Sequence, residues 1–176
     1  MITTIGELLD DSNDSAFVEH VDKASRLMNG YNFDDCEVRS RESMGIAAGL
    51  WETGPEQMAV REDMVGTVQG QCMVTHVLVH EALHATGLEL EGFTEAQAAW
   101  LTHEAPIAYH SEVRAAQDFF LVVGRERSIE LAQEENAEVG LLAAYVSERV
   151  QRSVPALTAA KEGQELLEKA RGDHHA

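Results

Sequence analysis

The sequence predicts a mainly α-helical (α+β) domain with a small β-hairpin or sheet in front of one unusually apolar helix. Apolar residues recur at helical spacing through most of the chain, a Gly-Pro pair separates two short apolar runs, and the stretch 73–87 is apolar almost all round. A length of 176 residues suggests a single domain. Its parts are an N-terminal helix and hairpin (1–66), a central helix pair (67–104) and C-terminal helices (105–176).

The first predicted helix runs from Ser15 to Gly30. Phe17, Val21 and Leu27 have the spacing of one helix face, and Ser15 is a candidate N-cap because its hydroxyl can accept a backbone N–H of the first turn.

A hairpin follows. The segments 46–52 and 57–62 are short and contain apolar residues, and Thr53-Gly54-Pro55-Glu56 lies between them. Glycine and proline between two such runs are typical of a hairpin turn.

The central helix carries His80-Glu81-Ala82-Leu83-His84. Residues at i and i+4 lie on one helix face about one turn apart, so these two imidazoles can hold one zinc ion. At about 100° per residue, His84 falls near +40° from His80 and His76 near −40°. The other faces are apolar, which predicts burial, and a metal would supply the partners that buried polar groups need.

Glu81 would lie beside the ion without binding it, where it can take a proton from a water that the metal holds. This is the arrangement of a zinc hydrolase. The alternative is a pair of hydrogen-bonded histidines in a core or cleft, with a coincidental glutamate between them.

The segment after this helix contains Glu91-Gly92-Phe93-Thr94-Glu95. Gly87 is a candidate C-cap, because glycine adopts the left-handed conformation at low cost. Glu91 and Glu95 are four residues apart and share a face if one helix contains both. Thr94 and Gln97 form a capping-box pattern, which would start the helix at Thr94 instead.

Residues 73–102 resemble zinc peptidases of the gluzincin type, in which H-E-x-x-H precedes a helix with a ligand glutamate. The resemblance implies His80, His84 and Glu91 as zinc ligands, because that glutamate often precedes glycine and an aromatic residue. It implies Glu95 either as a hydrogen-bond partner of a ligand imidazole or as the third ligand, and Glu89 is a further alternative.

Two departures from known patterns bear on the third ligand. The seven-residue gap from His84 to Glu91 is shorter than gluzincins usually have, although an extended chain spans about 3.3–3.6 Å per residue. The run from His80 to Gly87 also fits the start of the metzincin motif, but Leu90 occupies its third ligand position and leucine cannot bind zinc.

Other residues near the motif are candidates for supporting roles. His76 lies on the same helix face as His80 and His84, where it would line the cleft or hydrogen-bond to a ligand. Direct binding of His76 to the metal is disfavoured, because ligands on three consecutive turns diverge too far for one tetrahedral ion. The resemblance implies Tyr109 or His110 as an oxyanion stabiliser, and a surface or packing role is the alternative. Peptide deformylases use a cysteine upstream of H-E-x-x-H, but Asp34-Asp35-Cys36-Glu37 lacks their glycine-rich context, so we reject that assignment.

The resemblance also implies a function for the hairpin, because zinc peptidases commonly place a small sheet before the active-site helix. Its edge strand lines the cleft and pairs with the substrate backbone. Met58–Glu62 is the candidate for that strand. A hairpin that packs without touching substrate is the alternative.

Three helices are predicted after the central pair, over 106–123, 128–152 and 155–171. Proline favours a first helical turn, so Pro106 is the expected start of the first. Apolar residues at helical spacing mark core positions, such as Ile129, Leu131, Val139, Leu142 and Tyr145. Residues 172–176 are expected to form a frayed tail.

Charge and composition limit the classes of partner that the protein is expected to bind. The net charge is −18, from 31 acidic and 13 basic residues, so a nucleic-acid partner is disfavoured because its phosphates would be repelled. The sequence has no membrane-length apolar run, and its start has no signal-peptide pattern. Two cysteines give no disulfide framework, so we expect a cytoplasmic protein with a peptide or protein substrate.

The function expected from these observations is zinc-dependent hydrolysis of peptide bonds, with Zn²⁺ on His80, His84 and Glu91, and Glu81 as general base. A catalytically inactive zinc-binding relative that acts in protein interaction is the second hypothesis. A helical interaction domain without metal is the third.

Overall fold

The structure is a computed structural model that describes residues 3–11 and 13–172. Helices form 66% of it and strands 8%, which confirms the mainly α class with a small sheet. The described residues form two compact units that divide between Ala85 and Thr86. The single domain expected from the chain length stays a prediction, and residues 173–176 of the expected tail lie outside the described ranges.

The N-terminal unit is a small sheet with helices. Its elements, in chain order, are β1 (Thr3–Thr4), α1 (Ile5–Asp11), α2 (Ser15–Leu27), β2 (Glu37–Arg39), α3 (Arg41–Met44), β3 (Gly49–Glu52), β4 (Gln57–Arg61), α4 (Asp63–Gly66) and α5 (Val68–Ala85). The longest, α5, contains the H-E-x-x-H pattern and packs against α2, α4 and the β3–β4 hairpin.

The sheet has four strands in the order β1-β2-β4-β3. Strands β3 and β4 pair antiparallel with Trp51 opposite Met58, which confirms the hairpin. On its other side β4 pairs parallel with β2, with Val38 opposite Val60. The prediction that Met58–Glu62 is an edge strand was therefore wrong: this strand is central, and the edge of the hairpin is β3.

Local hydrogen bonds fix where two helices begin. The N-cap of α2 is Asp14 and not Ser15, because the Asp14 carboxylate accepts the N–H groups of Ala16 and Phe17 at 3.1 and 3.2 Å. These bonds, chiefly the one from Phe17, lower the pKa of Asp14. Helix α5 follows Thr67, whose hydroxyl accepts the Gly70 N–H at 2.9 Å.

The C-terminal unit is entirely helical in its described part. It contains α6 (Glu91–Thr102), α7 (His110–Val123), α8 (Arg125–Ala132), α9 (Ala137–Gln151) and α10 (Ala156–Arg171). Aromatic rings form its core: Phe93 lies 5.5 Å from Phe119 and 5.3 Å from Phe120, and Phe119 lies 5.2 Å from Tyr145, measured between ring centroids.

Several boundaries in this unit differ from prediction. Helix α6 begins at Glu91, so a start at Thr94 was wrong; the Thr94 hydroxyl instead donates to the carbonyl oxygens of Leu88 and Leu90 inside the fold. Helix α7 begins at His110 and not at Pro106.

The helix predicted over 128–152 is two helices, α8 and α9, because the chain turns before α9 with Asn136 in the left-handed conformation. Of the expected core residues here, Ile129 and Tyr145 are buried, whereas Val139 is 71% exposed. None of the described helices is both long and apolar enough to cross a membrane.

Gly92 allows α6 to approach its neighbours closely. A β-carbon at this position would lie 2.2 Å from the Glu112 carbonyl oxygen and 3.0 Å from that of Ala170. We therefore expect Gly92→Ala to destabilise the protein by about 1–3 kcal/mol through overpacking, and to lower the melting temperature by several degrees. Thermal unfolding followed by circular dichroism measures this.

The matched control is Gly140→Ala, since a β-carbon there would meet only Leu131 Cδ2, at 3.7 Å. This change lies inside α9 and should leave stability unchanged or raise it slightly, because alanine favours helix. An unchanged melting temperature for Gly92→Ala would contradict the close helix contact.

Candidate metal centre

The imidazoles of His80 and His84 face each other on α5. Their Nε2 atoms are 3.1 Å apart, and the rings are inclined at 74° with centroids 4.8 Å apart. Two nitrogens bound to one tetrahedral zinc at about 2.0–2.1 Å are separated by roughly 3.3–3.4 Å. The pair is thus within a few tenths of an ångström of the spacing that zinc requires. A hydrogen bond between one protonated and one bare ring nitrogen also fits this distance.

Glu81 completes the group. The potential ligand atoms of His80, Glu81 and His84 all lie within 4.8 Å of one another. Among the described residues, these three form the group that could hold a metal ion. His80 and Glu81 are 7% and 6% exposed. Nitrogen and oxygen donors in a protected cluster are a donor set that zinc accepts.

The edge strand β3 lies directly against Glu81. A β-carbon at Gly49 would be 2.9 Å from both Cγ and Oε2 of Glu81 and 2.6 Å from Cγ1 of Val77. Position 49 therefore has room only for glycine. Gly49 was not among the residues predicted from the sequence, although a glycine within a strand is a signal of close approach by another group.

Cys36 is near this cluster but is not part of it. Burial raises the pKa of its thiol, and the negative charge of Glu81 raises it further. Cys36 is 3% exposed and does not belong to the group of described residues that could hold a metal ion. The rejection of a deformylase-like cysteine stays a prediction.

His76 lies one turn before His80 on α5 and is 1% exposed. It does not belong to the three-residue group that can hold an ion. Its predicted supporting role stays a prediction.

The candidate third ligands belong to the C-terminal unit. Glu91 is the first residue of α6 and is 7% exposed, with its methylene groups close to Gly172. Glu95 lies one turn later and is 1% exposed. Glu89 is exposed in the preceding segment and lines a cleft of about 540 Å³ together with other acidic side chains. The choice among these three residues stays a prediction.

Glu95 has a clear partner within its own unit. Its Oε2 accepts the backbone N–H groups of Ile107 and Ala108, both at 3.0 Å. The next residue, Tyr109, has a left-handed backbone (φ 55°), which is rare for a bulky side chain and costs of order 1–3 kcal/mol. Glu95 therefore holds the segment that leads into this strained residue.

Tyr109 and His110 stand where α7 begins, and both are exposed. Their predicted contribution to an oxyanion site stays a prediction.

Comparison of the chain with protein-family models, curated proteins and solved structures gives no significant match.

The two bonds to Glu95 Oε2 predict a stability effect that is separate from metal binding. Hydrogen bonds to a charged group contribute about 1.5–3 kcal/mol, so Glu95→Ala should lower the free energy of unfolding by at least that amount. Glu95→Gln should cost less, because its amide oxygen can still accept both N–H groups. Urea unfolding in the presence of a chelator measures the effect without a contribution from bound metal.

Glu89→Ala is the control, because this side chain is exposed and its loss should change stability by less than about 0.5 kcal/mol. If Glu95→Ala is as stable as the parent protein, the segment 107–109 is held by other contacts.

Proposed function

We propose that this protein is a zinc-dependent peptidase, a hydrolase in which His80 and His84 hold the metal and Glu81 is the general base. The observation that carries the proposal is the 3.1 Å separation of the two Nε2 atoms with the Glu81 carboxylate in the same cluster. Two histidines and a glutamate with this spacing on one buried helix match the needs of metal-assisted hydrolysis.

Zinc, when bound, would supply Lewis acidity, which lowers the pKa of water toward ~7 and polarises a carbonyl group. Glu81 takes the proton from the attacking water and passes it to the leaving amine, since a carboxylate within reach of both can act as base and then as acid. We assign the third ligand to Glu91 and the donor to the developing oxyanion to Tyr109 or His110.

The free edge of β3 is the proposed binding site for the substrate backbone. Arg61 donates its N–H to the Ala48 carbonyl at 2.9 Å, which identifies 48 and 61 as a hydrogen-bonded pair of the hairpin. Alternation then directs the backbone groups of Gly49 and Trp51 away from β4. An extended peptide can pair with these groups beside Glu81.

The cellular setting is part of the proposal. Cys36 and Cys72 are both free, which suits a reducing compartment such as the cytoplasm. The substrate is a peptide or protein, and the acidic character of the chain favours basic or neutral substrates.

Purified protein should contain about one zinc per chain, the stoichiometry of a single site. Elemental analysis measures it. His84→Asn should abolish the bound zinc, because one histidine and one carboxylate seldom hold zinc alone. The control is His103→Asn, which changes an exposed histidine with a left-handed backbone that asparagine tolerates.

The zinc content of glutamate variants distinguishes a metal ligand from a residue that only orients one. Loss of a ligand should empty the site, whereas loss of a residue that only orients a ligand typically costs about 10–100-fold in affinity. We expect Glu91→Ala to empty the site and Glu95→Ala only to weaken its affinity for zinc. Folded protein that takes up no zinc would remove the metal from the proposal.

Glu81→Gln should keep zinc and fold but lose about 10²–10⁴-fold in hydrolysis, because an amide cannot accept the proton. Cleavage of a mixed peptide library, followed by mass spectrometry, measures the rate. Activity equal to that of the parent would exclude Glu81 as the base. Zinc retained without any turnover in the parent protein would favour the inactive, partner-binding alternative.

Gly49→Ala tests the geometry around the base. The added methyl group must displace the Glu81 side chain, and a misplacement of about 1 Å can cost up to about 100-fold in rate, so we expect a loss of roughly 10–100-fold with zinc retained. The control is Gly54→Ala in the hairpin turn, where a β-carbon would meet no atom within 4 Å. It should leave the rate unchanged.

A further inference from the structure

The N-terminal unit contains a cleft of about 460 Å³, which we call the Trp51 cleft. Its walls include Tyr31, Phe33, Trp51 and Met58. The ring centroids of Tyr31 and Phe33 lie 4.9 Å apart. Partial burial raises the pKa of the Tyr31 hydroxyl. Aromatic and thioether groups thus line part of this space, and polar side chains line the rest.

The rim of the Trp51 cleft is acidic. Asp35, Glu37 and Glu56 border it, and none of the lysines or arginines in the described part of the chain does. Glu37 is neutralised by Arg39, whose guanidinium lies 2.7 Å from its carboxylate. Asp35 and Glu56 have no ion-pair partner among residues 3–11 and 13–172, and both are exposed. Two uncompensated negative charges therefore face the opening.

Strand β3 contacts Glu81 at one residue and lines the Trp51 cleft at another. Gly49 lies against Glu81, and Trp51 is two residues later on the same face of the strand, about 6.5–7 Å away. On β4, Met58 is opposite Trp51 and lines the same cleft. The cleft is therefore adjacent to the proposed base.

A peptide that pairs with the edge of β3 would carry one side chain past Glu81 and another, two residues along, toward the Trp51 cleft, because side chains alternate along an extended chain. Aromatic walls attract a cation through the ring quadrupole, and the two carboxylates add Coulomb attraction. Arginine and lysine have both the charge and an apolar stem that fits such walls.

We propose that the Trp51 cleft is a specificity site for the side chain of an arginine or lysine in the peptide substrate, two residues from the position beside Glu81. The assignment rests on the proposed peptidase function. It adds the substrate class, an extended peptide with a basic residue at one fixed position.

The test is a binding measurement that needs no turnover. Only two tryptophans occur, so Trp100→Phe, an exposed position of the C-terminal unit, leaves Trp51 as the fluorescent reporter. In a Trp100→Phe, Glu81→Gln background, acetyl-Ala-Ala-Arg-Ala-Ala-amide should change the Trp51 emission. It should bind roughly tenfold more tightly than acetyl-Ala-Ala-Gln-Ala-Ala-amide, because a partly desolvated cation–π contact with two carboxylates nearby contributes about that factor.

The matched variants remove equal charge at different places. Asp35→Asn with Glu56→Gln should reduce the arginine preference to about twofold, as should high salt. Glu7→Gln with Glu19→Gln removes two exposed carboxylates elsewhere in the same unit and should leave the preference intact.

Equal binding of the two peptides, or a preference that survives in the Asp35/Glu56 variant, would overturn the proposal. Binding of agmatine as tight as that of the arginine peptide would also overturn it, because the cleft would then be a small-cation site that ignores the peptide backbone. Failure of the peptidase function itself would appear separately, as absence of zinc and of library cleavage, whatever the Trp51 signal.

Discussion

Burial of α5 on nearly all sides is the constraint on which the N-terminal unit depends. Its apolar residues make the contacts with α2, α4 and the hairpin, but the polar side chains of its buried stretch, residues 74–83, need specific partners because they have little access to bulk water. Thr75 meets this need by donating to the His20 carbonyl at 3.1 Å. The rings of His80 and His84 lie close enough for a hydrogen bond between them or for the metal ion that we propose.

Much of this arrangement could be predicted from local pattern. The spacing of His80 and His84 fixes their common face, and the Gly-Pro turn fixes the hairpin, because both depend on residues close in sequence. Strands β1 and β2 could not be found, since two or three residues show no periodicity. The place of β4 at the centre of the sheet follows from its parallel partner β2, which is remote in sequence. The contact of Gly49 with Glu81 likewise depends on tertiary packing.

The segment after α5 shows why a short motif can have more than one physical cause. Gly92, which the gluzincin resemblance associates with a ligand glutamate, has a packing reason, since α7 and α10 leave no room for a side chain. Glu95 has a hydrogen-bonding reason in the two N–H groups it accepts. Glu91 is buried at the first position of α6, and the proposed assignment of the third ligand depends most on this residue.

The most direct test of the central claim is anomalous diffraction at the zinc absorption edge, from crystals of the protein grown with zinc. The account predicts one strong peak about 2.0–2.1 Å from the Nε2 atoms of both His80 and His84, and the same map would identify the glutamate that completes the site. Absence of a peak there, with the two rings still hydrogen-bonded to each other, or a peak bound only at Cys72, would contradict it.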